Sequence, residues 1–308
     1  MMITRLKEVE PHHEDDRNFM KEIEPSVKIR PMRLDDIEQA MRLKNLEDWN
    51  QTKQDWEILL KHSPETCLVA FSDQKVIGTV TAINHSNELA WIGMMLVAPK
   101  CRRKGIGSLL LKNNLNRLKN CNNIGLDATP LGREIYRNLG FIEEYTISRM
   151  TISSIPKQPI TGRRTSITPI GVYDIQEIAN LDKEVSGANR TNLFELIHKK
   201  YPEKGLKLKR DGQITGYCLR RNGAKYNHLG PVAAFTIQDA KTLLSAAMAL
   251  LAGRSAVIDV PQTKPELLKW LTSLGFEEQR SLIRMYYKNN NILKQTEKEC
   301  AICGPEFG

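Results

Sequence analysis

The feature that most limits how this chain can fold is an internal echo. Leu139-Gly140-Phe141-Ile142-Glu143-Glu144 returns as Leu274-Gly275-Phe276-Glu277-Glu278-Gln279, 135 positions later, and the endings Ser148-Arg149-Met150 and Ile283-Arg284-Met285 stay in step. Nearer the start, Ile29-Arg30-Pro31 with Asp36-Ile37 is matched by Ile167-Thr168-Pro169 with Asp174-Ile175, 138 positions on. Agreement at both ends of a domain-sized stretch points to a duplicated fold rather than to chance likeness of short apolar runs. The 308 residues have room for two such units, each able to bury its own core. The chain therefore divides into a polar, loose arm at 1–24, a first domain at 25–152, a linker at 153–164 marked by Pro156, Pro159 and Gly162, and a second domain with a tail at 165–308.

Composition removes several classes. With 41% hydrophobic and 26% charged residues, the chain reads as a folded, water-soluble protein. No apolar run approaches the roughly 20 residues that a membrane-spanning helix needs, and Met1 to Glu10 lacks the order of a signal peptide, so a cytoplasmic protein with no membrane partner is expected. The six cysteines follow no framework spacing, which fits free thiols. Cys300 and Cys303 form a C-x-x-C without a second ligand pair, and no metal is expected there. The net charge of +9 raises the question of nucleic acid. Its cations are scattered over 102–104, 163–164, 199–210 and 220–221 without aromatic interleaving, so one anionic small-molecule site is the better reading and no nucleic-acid partner is expected.

Local patterns give the first domain an order of elements. A short strand at Val27 to Pro31 precedes a helical pattern through Ile37, Met41, Leu43 and Leu46. Three β-type runs, Cys67 to Phe71, Val76 to Ile83 and Leu89 to Val97, form an antiparallel meander. A helix at Gly105 to Leu118, a strand at Ile124 to Ala128, a helix at Arg133 to Leu139 and a strand at Phe141 to Thr151 complete it. The junction of the third run with its helix carries chemistry: Met95-Leu96-Val97-Ala98-Pro99-Lys100-Cys101-Arg102-Arg103-Lys104-Gly105-Ile106-Gly107-Ser108. Glycines admit close backbone approach, the helix start offers unpaired N–H groups, and Arg102, Arg103 and Lys104 add positive charge, which together make a pyrophosphate cradle. The dinucleotide glycine triplet and the Lys-Ser/Thr of a P-loop are both missing.

This stretch resembles motif A of the GNAT N-acetyltransferase superfamily, in which Arg or Gln is followed after two residues by Gly-x-Gly or Gly-x-Ala. Trp49-Asn50-Gln51-Thr52 with Asp55-Trp56, then Trp91-Ile92-Gly93-Met94, then Leu126-Asp127-Ala128-Thr129-Pro130 with Tyr136 and Leu139-Gly140-Phe141, look like the two-domain GNAT proteins of the YitH/HolE type, and so does the ending Gly304-Pro305-Glu306-Phe307-Gly308. The resemblance implies tandem α/β (α+β) folds, each a mixed, mostly antiparallel twisted sheet flanked by helices, with acetyl-CoA as cosubstrate. It implies coenzyme contacts from Met95, Leu96 and Val97 and from Arg102, Arg103, Lys104, Gly105, Ile106, Gly107 and Ser108. Tyr136 occupies the place of a thiolate-protonating tyrosine, or packs as a helix residue. Asp127 is the candidate general base, or caps the following turn. Trp49, Asn50 and Trp91 are candidates to frame an acceptor pocket, and tryptophan is equally a core residue. In the second half the equivalent loop reads Gly230-Pro231-Val232-Ala233-Ala234-Phe235, so only the first domain should hold coenzyme A.

The function implied is transfer of an acetyl group to a primary amine in a ternary complex, by a monomer or homodimer. A non-catalytic acyl-CoA sensor and an enzyme using a longer acyl-CoA are the alternatives.

Overall fold

The computed structural model describes residues 27–157, 167–288, 292 and 294–308. The expected arm at 1–24 and the expected linker from 158 onward lie outside the described residues.

Both halves start with the same device. After β1 (Lys28–Pro31), the Asp36 carboxylate accepts the Arg33 amide at 2.7 Å and two Arg30 guanidinium bonds at 2.7 and 2.9 Å, which fixes the entry to α1 (Ile37–Leu46). A carboxylate that satisfies an orphan amide at a helix start also complements the helix dipole. A capping box of Thr52 and Asp55 then opens α2 (Lys53–His62). The meander follows as β2 (Leu68–Ser72), β3 (Lys75–His85) and β4 (Leu89–Val97). The crossover helix α3 (Ile106–Arg117) returns the chain so that β5 (Asn123–Ala128) lies parallel to β4, and α4 (Arg133–Asn138) leads to β6 (Phe141–Ile152).

The second half repeats this order as β7 (Ile167–Pro169), α5 (Ile175–Ser186), α6 (Thr191–Lys200), β8 (Gly205–Arg210), β9 (Gln213–Arg221), β10 (Asn227–Ala234), α7 (Ile237–Ala249), β11 (Ala256–Pro261), α8 (Pro265–Ser273) and β12 (Glu277–Tyr287). Here Asp174 takes the part of Asp36, accepting the Gly171 amide at 2.7 Å. The Leu-Gly-Phe echo has an equally plain cause. Gly140 and Gly275 both have φ of +92°, a left-handed turn between helix and strand that a side chain would strain.

The halves do not keep to themselves. Among the described residues one sheet runs in the order β1-β2-β3-β4-β5-β12-β6-β11-β10-β9-β8-β7, with β13 (Glu299–Ala301) added on β10. The last strand of each half is thus exchanged: β12 pairs antiparallel with β5, β6 with β11, and β12 and β6 pair with each other from Tyr287↔Phe141 to Glu277↔Thr151. Ion pairs that span strands lock this seam. Arg149 on β6 binds Asp259 on β11 with two bonds of 2.7 and 2.8 Å, and Arg284 on β12 binds Asp127 on β5 at 2.9 and 3.0 Å, all four side chains being buried. Burial alone would raise the Asp259 carboxyl, but the Arg149 guanidinium holds it well below the usual carboxylate range.

Helices cover both faces. On one, α3 packs Ile106, Leu110 and Leu111 on the first half, and α7 packs Leu243 and Leu244 on the second. On the other, residues of both halves share one core, with Trp56, Trp91, Phe194 and Tyr217 at 1% exposure or less. No helix of the described residues is long and apolar enough to cross a membrane.

Both neighbours of each seam strand belong to the other half, so fragments 1–160 and 161–308 expressed apart will not show cooperative melting, whereas coexpressed they will copurify. Circular dichroism melts check this, and independent folding of either fragment contradicts it. Asp259→Asn strands the Arg149 charge and is expected to lower stability by about 3–5 kcal/mol in urea unfolding at neutral pH. Because the folded-state pKa is depressed, the contribution is complete above the unfolded value near 4 and fades as pH falls, so the gap between wild type and variant closes in acid.

Candidate active site

Strand β4 touches β5 over only part of its length, from Leu89↔Asn123 to Ile92↔Leu126. Beyond Ile92 the register of β4 against β3 slips between Thr79↔Leu96 and Thr81↔Gly93, and Met94 in the slip has φ of +48°. The Met94 carbonyl accepts the Thr79 hydroxyl at 2.7 Å, which holds this bulge. A bulge bends its strand and increases the twist. Met94 to Val97 consequently leave β5, and a fork opens in which Met95, Leu96 and Val97 present a backbone edge with no paired strand among the described residues on the β5 side.

The loop below the fork turns sharply into α3. Arg103 at φ of +62° and Gly105 at φ of +74° curl it, a backbone form that gathers N–H groups into a concavity. Leu109 donates the first helical bond to Gly105 at 2.9 Å, so the amides of Ile106, Gly107 and Ser108 have no acceptor within α3. A Cβ built on Gly107 would meet nothing closer than Val97 Cγ2 at 3.7 Å. The residue is therefore open on the side a ligand would take rather than filled by the protein. Arg102, Arg103 and Lys104 are exposed around this turn. Arg102 donates to the Val97 carbonyl at 3.1 Å and pairs with Glu47. These residues fit a coenzyme A pyrophosphate on the loop and a pantetheine arm along β4.

At the crotch of the fork lies a cleft of about 610 Å³, its open mouth included. Ile92, Met94, Met95, Leu126 and Leu282 make it apolar, and Trp49, Asp127, Tyr136, Arg280 and Glu306 line it as well. The Tyr136 ring lies over Gly132, where an added Cβ would come within 3.0 Å, and meets Phe141 edge-on at 5.8 Å. Burial pushes its hydroxyl up to about 12. The Asp127 carboxylate is covered beneath, both oxygens bound by Arg284, and burial raises it against the opposing guanidinium.

The structure brings Trp49, Asp127 and Tyr136 to one cleft and places the other two acceptor candidates elsewhere. Asn50 clamps the second half: it accepts the Lys225 and Tyr226 amides at 3.0 and 2.9 Å and donates to the Tyr226 carbonyl at 3.0 Å. Trp91 is buried, with the Arg284 guanidinium 4.3 Å over its ring and its indole N–H donating to the Pro305 carbonyl at 3.3 Å.

Sequence reasoning named no residue of the second half at this cleft. The segment from β13 to Gly308 crosses to the first fork and lays Pro305 and Glu306 over Gly93, where a Cβ would sit 2.9 Å from Glu306 Cα. Glu306 accepts from Gln51 at 2.7 Å and from Arg221 at 2.9 Å, and Arg221 also binds Asp55 at 2.8 Å. Against its burial, Arg221 and His228 hold the Glu306 carboxyl below its usual value. The same segment closes the second half's own fork. β10 pairs with β11 from Asn227↔Ala256 to Leu229↔Ile258, and beyond that β13 pairs with β10 at Val232↔Ala301 while the Ile302 amide donates to the Asp259 carbonyl at 3.1 Å. Thr236 caps α7 by accepting the Asp239 amide at 3.1 Å. Burial lifts the Cys300 and Cys303 thiols to about 11, which makes them poor nucleophiles.

Known proteins resemble the chain along this whole architecture. Two models of the acetyltransferase (GNAT) domain match it, over residues 63–143 and 178–299. The holothin acyltransferase of Pseudoalteromonas is 26% identical over 266 residues, covering 85% of this chain and 88% of that protein. The uncharacterized N-acetyltransferase YitH of Bacillus subtilis is 24% identical over 203 residues, or 65% of this chain and 70% of its own. In fold, a candidate acetyltransferase from Pyrococcus horikoshii superposes with a TM-score of 0.78 at 22% identity, covering 92% of this chain and 97% of that one. A tandem GNAT protein from the clavulanic acid biosynthesis pathway gives 0.62 at 12% identity, covering 84% and 98%.

Gly107→Trp projects an indole into the space over the helix start. It is expected to melt within a few degrees of wild type and to weaken acetyl-CoA binding by more than about tenfold, the equivalent of losing one to two good hydrogen bonds, as read by calorimetry.

Proposed function

Since the chain belongs to the GNAT acetyltransferases and is an acyltransferase that draws on an acyl-CoA, we propose that it moves an acetyl group from acetyl-CoA to a small primary amine by direct attack within a ternary complex. The observation that carries this reading is the open fork: a β4 edge unpaired among the described residues, a helix start with free amides at one end and a lined cleft at the other.

Three tasks fall to the residues of the chain. Coenzyme binding belongs to the amides of Gly105, Ile106, Gly107 and Ser108, aided by Arg103 and Lys104, with Arg102 steadying the loop through Glu47 and Val97. The backbone of Met95, Leu96 and Val97 holds the pantetheine arm and leaves an N–H for the thioester oxygen, whose developing charge it stabilises. Tyr136 supplies the proton for the departing thiolate; with its hydroxyl raised to about 12, it stays protonated at neutral pH. Two carboxylates line the acceptor side. Glu306, its carboxyl held below the usual value by Arg221 and His228, presents a negative charge that favours an incoming ammonium. Asp127, raised by burial, is the carboxylate assigned to take the amine proton, through a water where needed. Trp49 makes the wall against which the amine is held.

Tyr136→Phe is expected to lower kcat by about 100-fold while leaving acetyl-CoA affinity within twofold, since it removes the proton donor to the sulfur and none of the groups that hold the diphosphate or the pantetheine arm. Thiol release against an amine panel reads the first and calorimetry the second. For wild type, kcat/KM rises with pH as the amine loses its proton and shows no tyrosine-linked fall below about pH 11. Tight acetyl-CoA binding with no thiol release across the panel indicates a sensor and refutes the transferase reading.

A further inference from the structure

The charges lining the acceptor cleft are not evenly matched. Asp127 is bound by Arg284 and Glu306 by Arg221. Arg280 has no hydrogen bond or ion pair with any described residue, and its Nε is a buried donor without an acceptor. The local backbone explains why it faces the cleft. Register between β12 and β6 slips between Glu278↔Met150 and Arg280↔Arg149, so Gln279 is the extra residue of a bulge, a device that re-aims the side chain after it. The slip also sets Arg280 opposite Arg149, and like charges directly across a strand pair repel. Asp259 is taken up by Arg149 and by His228 at 3.2 Å, so it reaches Arg280 only through space and not as a bonded partner. Burial and the Arg149 charge push its guanidinium down to about 10, so it remains a cation at neutral pH.

A half-buried guanidinium without a counterion is a standing electrostatic cost unless something brings the anion. The loop at 102–108 does not line this cleft, so the coenzyme's diphosphate is accounted for elsewhere. Resting on the acyl-transfer reading above, we infer that the acceptor carries a carboxylate beside its amine and that Arg280 binds this carboxylate, making the substrate an amino acid or a related zwitterion. Glu306 then faces the ammonium and Arg280 the carboxylate, and Trp49 and Leu282 hold the carbon skeleton between them. The planar fork of guanidinium donors suits a carboxylate better than a neutral carbonyl, which is the source of discrimination.

The test uses the full chain and a panel of the proteinogenic α-amino acids, β-alanine and γ-aminobutyrate, each beside its carboxamide. Binding is followed by melting shift and calorimetry with and without coenzyme A. At least one acid should bind about 10- to 100-fold more tightly than its amide. Arg280→Gln should erase that preference, and Arg280→Lys should keep part of it. Without ligand, Arg280→Gln should melt no lower than wild type, since it removes an unmatched charge; a marked fall in melting temperature would mean the side chain supports the fold instead, against the inference. Amides that bind as well as acids, an acid series that does not bind at all, or a preference that survives Arg280→Gln each overturns it. Acetyl-CoA binding is measured separately, so a failure there sinks the acyl-transfer reading while an acid-over-amide preference would still stand for Arg280.

Discussion

Everything in this molecule depends on the exchange of β6 and β12 at the centre of the sheet. Had each half kept its own last strand, the two would meet only at a surface. Instead each completes the other, and the buried pairs Arg149–Asp259 and Arg284–Asp127 fix the register across the seam. A one-residue slip would turn every side chain to the opposite face and separate these charges, so the seam has one low-energy alignment. That rigidity lets residues of the second half line a cleft of the first: Arg280 and Leu282 arrive on β12, and Glu306 arrives on the segment after β13.

Duplication has also been made asymmetric by simple means. Both halves carry a pair of parallel strands that part company after a few residues, β4 with β5 and β10 with β11. In the first the gap stays open above a glycine-rich helix start. In the second β13 fills the gap, and Thr236 satisfies the helix start with its own hydroxyl. Backbone groups that a coenzyme would pair in one half are thus paired by the chain itself in the other, which agrees with the missing glycines at Gly230 to Phe235.

Much of this was legible in the sequence where the cause is local. Strand and helix positions, the glycine turn into α3 and the doubled architecture rest on periodicity, glycine and a repeat, and each has a short-range reason, such as the carboxylates of Asp36 and Asp174 at their helix starts. What sequence did not show is non-local. β6 and β12 share one pattern, so nothing in either tells which neighbour it takes. Asn50 reads as a pocket residue until its three bonds to the 225–226 backbone are seen. Trp91 reads the same way until Arg284 and Pro305 cover it. Glu306 and Arg280 stand far along the chain from the motif they face, and Arg280 is turned inward by a bulge that no residue type announces.

On the proposed function, one fork takes an acyl-CoA and the other is closed by the chain. Titration of the purified full chain with acetyl-CoA in a calorimeter measures this most directly. One site per chain is the expected result. Two sites would mean that β13 leaves the second fork accessible, and no binding at millimolar coenzyme would remove the cradle from the first.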